Sequence, residues 1–220
     1  MIIRREGEFD FRERFIFWAV VTLGVLAHAT FVMPLFSFVI LSFSYHRSRS
    51  INIKTALIEV IKDYWFPAAL FVFYYLYFLR NVSIGSGPVF SYYHQFSIAT
   101  AYLLGLPDQP LTRWFAVAIF LALVFTGTKL LRDSNREEWV FFPAVVVISP
   151  LLLVWFTKPT YFYFRYILLS FPIFYLLLAF ILGYLISHVK TYGWPIVFSI
   201  LVAFIAGQTA HFTPLVADHG

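Results

Sequence analysis

The chain contains no cysteine. It can therefore form no disulfide, and it offers no thiolate as metal ligand or nucleophile. Charge is also scarce, with Asp, Glu, Lys and Arg together making up 12% of residues, against about 25% in a soluble domain. No glycine-rich loop shaped for phosphate is present, no Ser-bearing strand-to-helix elbow, and no pair of carboxylates at catalytic spacing. Met1 to Arg14 is polar and is followed by no small-residue cleavage site, so it does not read as a secretory signal peptide. No internal repeat or low-complexity tract stands out beyond the hydrophobic runs.

What fills the chain instead is apolar and aromatic. Hydrophobic residues are 61% and aromatics 22%, with 28 Phe and 14 Tyr. That composition places the protein among all-α polytopic transmembrane helix bundles. The net charge of +5 is then no nucleic-acid signal, because the basic residues sit in short loops, where they set orientation. Residues 1–14, MIIRREGEFDFRER, form a juxtamembrane segment. The bundle runs over 15–212, with a hairpin at 15–44 and spans at 64–82, 114–128, 139–156, 165–187 and 194–212. Residues 213–220 are an outer tail.

The first run, Phe15 to Ser44, would be about 45 Å long as one helix, against a hydrocarbon core of about 30 Å. The interruption at Ala27-His28-Ala29-Thr30 suits two short helices that enter and leave on one side. Loop charges decide for the hairpin. With it, twelve Lys and Arg share one side, and only Arg80, Arg113, Lys158 and Arg165 lie on the other. Without it the 16 divide evenly. The positive-inside rule favours the asymmetric split. The expectation is about seven crossings in the plasma membrane, with the N-terminus cytoplasmic and the C-terminus outside. His46 to Asp63, with helical spacing at Ile51, Ala56-Leu57 and Val60-Ile61, is expected as an inner connector lying on the surface. Residues 90–102 (Phe90, Tyr93, Phe96, Ile98, Tyr102) are expected as one outer amphipathic surface helix. Pro143 and Pro150 predict a bent span, tolerated inside a bundle.

Arg80 and Arg113 are expected to snorkel, and Asp108 in LPDQP reads as a turn residue. Lys158 and Arg165 bracket a short loop with Tyr161, Tyr163 and Tyr166. Two cations and several phenols on one rim suit a phosphate or pyrophosphate, although Tyr and Arg also favour the membrane interface as plain anchors. His28 and Thr30 at the hairpin tip, and His94 in the surface helix, would face the same compartment as cavity-lining residues. A lone His there is more often a packed or hydrogen-bonded residue than a ligand. No carboxylate lies at ligand spacing from either His, so no metal site is expected.

The segment LGVLAHATFVMPLFSFVI resembles the hairpin of polytopic GT-C type glycosyltransferases, a group that includes protein O-mannosyltransferase-like and aminoarabinose-transferase-like enzymes. YFYFRYILLSFPIFYLLLAFILGYL resembles a late helix of the same families, where Arg-Tyr opens an apolar span. The order also agrees, with three crossings and one outer surface helix between the two segments. The resemblance implies transfer of a sugar from a polyprenyl-phosphate donor to a lipid, glycan or protein acceptor on the outer face. Donor phosphate would fall to Arg165, Tyr166, Tyr161, Tyr163 and Lys158, with His28 near the same cavity. The family's catalytic acid sits in a first outer loop that nothing here matches. The chain is therefore expected to be a C-terminal half, truncated or split from an N-terminal half or subunit, and inactive alone. No cofactor is evident, and a divalent metal would need residues outside this chain. Two other readings stay open: a non-catalytic transporter subunit or assembly partner, and a polysaccharide polymerase or ligase. The partners expected are membrane lipid and a polyprenyl-phosphate-linked sugar, with no nucleic acid.

Overall fold

Long apolar stretches that must satisfy their own backbone hydrogen bonds become helices. In the computed structural model every regular element among the described residues is helical. The structure describes residues 11–27, 31–49, 52–78, 80, 91–157, 169–189 and 191–217. They fall into two compact units, Met1–Ile84 and Gly85–Gly220.

The first unit holds α1 (Phe11–Ala27), α2 (Val32–Arg49) and α3 (Ile53–Tyr77). The Phe17 ring lies 6.2 Å from that of Phe38, and a Cβ on Gly24 would touch the Phe31 ring. These contacts set α2 antiparallel to α1. The core is Val21, Val25, Leu35, Val60 and Tyr64. Tyr64 keeps its hydroxyl satisfied by donating to the Phe38 carbonyl at 3.1 Å, while the Ser42 hydroxyl lies 2.9 Å from it.

α3 departs from expectation. The residues read as a surface connector are not separate from the following span. One helix starts at Ile53, capped by the Asn52 side chain, which accepts from the Lys54 N–H at 2.9 Å. Ala56, Val60, Asp63, Tyr64 and Pro67 make a single buried stripe along it. Spacings of three and four residues keep that stripe on one side of the helix, so nothing in the packing breaks the helix near Asp63.

The second unit holds α4 (Tyr92–Leu104) and α5 (Pro110–Asp133). Next comes a continuous helical run called α6 here: a 3-10 turn Glu137–Val140, then Phe141–Pro143, a π segment Ala144–Ile148 and Ser149–Thr157. α7 (Ser170–His188) and α8 (Gly193–Ala217) complete it. Pro143 and Pro150 flank the π segment. Pro150 has no N–H to return to the carbonyl five residues back, and that Val145 carbonyl accepts from the Ser170 hydroxyl at 2.9 Å instead.

α5 is the central helix, with Ala116, Phe120, Val124, Gly127 and Leu131 on its buried face. It meets the Phe174, Leu177 and Ile181 stripe of α7, and the Phe120 and Phe174 rings stand 5.0 Å apart. Four helical stretches, Pro110–Asp133, Glu137–Trp155, Ser170–His188 and Gly193–Ala210, are long and apolar enough to cross a membrane. All four belong to this unit. Among the described residues the protein is thus all-helical, with four helices long and apolar enough to span a membrane. The three helices of the first unit fall outside that set.

Candidate functional site

Of the residues the sequence marks out, Lys158, Tyr161, Tyr163, Arg165, Tyr166, His28 and Thr30 lie outside the described residues. His94 is described, and it is exposed in the first turn of α4.

α4 differs from the expected surface helix in what it buries. Gln95, Ser97, Ala99, Thr100, Ala101 and Leu103 are buried, while the anticipated apolar stripe leaves Tyr93 and Tyr102 exposed. Small residues let the helix lie close against its neighbours. Gly105 ends it in the left-handed region at φ 68°, where a side chain would be strained. The Gly105 carbonyl abuts Gly207 of α8, and a Cβ at either glycine would meet main-chain atoms. Gln208 Nε2 donates to the Tyr102 carbonyl at 2.7 Å, and the Tyr175 hydroxyl donates to the Leu103 carbonyl at 2.9 Å. The last-turn carbonyls of α4 are therefore served by side chains of α7 and α8.

With α4 held in this way, the Phe96 and Phe120 rings meet at 5.9 Å and a three-residue polar cluster forms. Arg113 Nε donates to Asp108 Oδ1, and its Nη1 lies 3.2 Å from His94 Nδ1. A guanidinium has only donors. Nδ1 must therefore accept, which puts the ring proton on Nε2 and makes that edge of the neutral ring a donor. Arg113, expected to snorkel, and Asp108, read as a turn residue, are thus joined in one cluster. The carboxylate five residues before the arginine neutralises it, and the packing of α4 on α5 brings His94 to its other side. The leftover groups are donors on Arg113 and His94 and the second carboxylate oxygen of Asp108. They can hold an acceptor-rich ligand, such as a phosphate, or a polyhydroxyl one.

A small apolar cleft borders Phe96, Phe120, Pro150, Ser170 and Phe171. Its polar atoms are committed: Thr100 donates to the Phe96 and Ser97 carbonyls, and Ser170 to Val145. It has no polar group to spare for a ligand.

A second polar cluster lies in the first unit. Asp63 is buried on α3, with Arg14 Nε of α1 at 3.2 Å from Oδ1 and His46 Nε2 of α2 at 3.5 Å from Oδ2. The Arg14–Asp63 contact is an ion pair without hydrogen-bond alignment. The Trp18 indole donates to the Asp63 main-chain carbonyl at 2.8 Å. Nothing in the order of residues hints at this cluster, because Arg14, His46 and Asp63 lie far apart along the chain. Among the described residues no three His, Asp or Glu side chains gather as metal ligands. No protein-family profile, curated protein or solved structure matches the chain.

Proposed function

We propose that the chain is the membrane portion of a GT-C type glycosyltransferase, moving a sugar from a polyprenyl-phosphate donor to a lipid, glycan or protein acceptor. In this reading it sits in the plasma membrane with its N-terminus cytoplasmic and transfer on the outer face, partnered by an N-terminal half or subunit. Lys158, Tyr161, Tyr163, Arg165 and Tyr166 hold the donor phosphate, and His28, Thr30 and His94 line the cavity. The supporting sequence is the His-x-Thr hairpin together with the Arg165-Tyr166 opening of a late apolar span. The structural observation that carries the reading furthest is the Arg113–Asp108–His94 cluster, which fixes an arginine and a histidine edge at the first turns of α4 and α5. Charge growing on a leaving phosphate needs such fixed donors.

The test is transfer of labelled sugar from a polyprenyl-phosphate donor in vesicles carrying the complete enzyme. Arg165→Ala and Arg113→Gln should each lower turnover about 100-fold, the cost of removing one oriented donor. Undiminished turnover in Arg165→Ala removes the phosphate assignment.

One observation favours a second reading, a transporter subunit or assembly partner. An ionisable residue buried among the helices of a membrane protein is a functional mark by default, and Asp63, buried beside Arg14 and His46, is such a residue. Loss of function in Asp63→Asn, with Arg165→Ala unaffected, selects that reading.

A further inference from the structure

We propose that α3 faces lipid along its whole length, from Ile53 to Leu76, and that the basic end of the α2–α3 pair binds anionic phospholipid headgroups. The proposal is independent of the glycosyltransferase reading. It starts from the side of α3 next to its buried stripe. There Ile53, Leu57, Ile58, Ile61 and Trp65 are each between 46% and 63% exposed. At about 100° per residue, Leu57, Ile61, Trp65 and Ile58 share one arc of roughly a quarter-turn or slightly more. Val72 and Leu76, also exposed, continue the same arc toward the other end. The polar side chains Thr55, Glu59 and Lys62 lie beyond it. One apolar face therefore runs on from Leu57 through the segment expected from sequence as an inner surface connector, with Lys54 on the same arc at its outer end.

Length points the same way. From Asp63 to Tyr77 the helix spans about 21 Å, too short for a hydrocarbon core of about 30 Å. The whole of α3, 25 residues, reaches about 37 Å. Tyr74, Tyr75 and Tyr77 crowd one end, as an aromatic belt does. Counting about 30 Å back from Tyr77 arrives near Leu57. Ile53 and Lys54, with Arg47 and Arg49 at the end of α2, then sit in the headgroup layer. There a guanidinium or ammonium meets lipid phosphate. Arg49 already lies 4.0 Å over the Tyr45 ring, a pairing suited to that depth.

The same placement accounts for two other features. Asp63 falls about 9 Å inside the hydrocarbon, where a carboxylate has to be buried and neutralised. It is both, with Arg14 and His46 beside it. Lys62 is nearly as deep, and its ammonium turns back one helical turn to Glu59 at 2.6 Å, toward the nearer surface, as a snorkelling lysine does.

Because the protein has no cysteine, single-cysteine spin labels can be placed without further substitution. The probes are Leu57→Cys, Ile61→Cys, Trp65→Cys and, on the polar side, Thr55→Cys, in vesicles of phosphatidylcholine with phosphatidylglycerol. Labels at 57, 61 and 65 should collide with dissolved oxygen in preference to a water-soluble nickel chelate, the preference rising from 57 to 65. Nickel preference at 57 and 61 means water covers the face, and low collision with both reagents means another protein surface does. Either result overturns the proposal. For the headgroups, retained phosphatidylglycerol is counted by native mass spectrometry. Arg49→Gln and Lys54→Gln should each weaken its retention roughly fivefold relative to phosphatidylcholine. Equal retention in the double variant refutes the headgroup assignment.

Discussion

Replacing Arg14 by alanine probes the buried ion cluster most directly. The Asp63 side chain is 6% exposed and Arg14 29%. Arg14→Ala leaves a carboxylate inside the unit with only the His46 ring, 3.5 Å away, beside it. Breaking a buried pair from one side costs about 3–5 kcal/mol, because the remaining charge is stranded. Arg14 is partly exposed and His46 stays in place, so the lower figure of about 3 kcal/mol applies. That is roughly a hundredfold in the opening equilibrium of the first unit. Asp63→Asn removes the charge with little change of shape. The Trp18 bond survives it, since its acceptor is the main-chain carbonyl of residue 63, and the expected loss is about 1–2 kcal/mol. The double variant strands no charge and should be more stable than Arg14→Ala alone by about 1 kcal/mol. Hydrogen exchange of the α3 amides in detergent micelles reads all three variants. If the double variant loses as much as the two single variants added together, the ion pair is not what holds the cluster and the reasoning fails.

Two further substitutions test the glycine contacts of the second unit. A Cβ at Gly127 would stand 2.6 Å from Leu177 Cδ1, and Leu177 is fully buried. Gly127→Ala should cost about 1–3 kcal/mol in the unfolding of the unit, and distinctly less than that when made in a Leu177→Ala background, where the obstacle is gone. At Gly207 the obstacle is the Gly105 main chain, which cannot rotate aside. Gly207→Ala should cost at least about 3 kcal/mol and expose the Tyr102 carbonyl through loss of the Gln208 bond, seen as faster exchange and proteolysis at the end of α4.

Residues 114–128, read as a span from their run of apolar side chains, lie inside α5, and Pro143 and Pro150 flank the one π segment among the described residues. Both features were legible because they are local: a run of apolar side chains or a missing N–H acts on its own turn of helix. That the helically spaced connector and the following span form one helix was missed for an equally local reason. Lys54, Glu59, Lys62 and Asp63 look like solvent-facing charge in one dimension. Yet the buried stripe and the exposed apolar arc run past them on other sides of the same helix. On α4 the aromatic stripe drew attention, whereas the packing selected the small residues, because close approach to α5 and α8 rewards the absence of side chain.

Hydrophobicity, charge asymmetry and proline positions are properties of the chain taken one turn at a time, so the sequence alone determined that the chain is helical and where its segments long and apolar enough to cross a membrane run. Which side chains meet depends on how helices cross and on how closely glycine lets them approach. Only the tertiary structure could therefore bring His94 to Arg113 across 19 positions, or set Arg14 and His46 against Asp63.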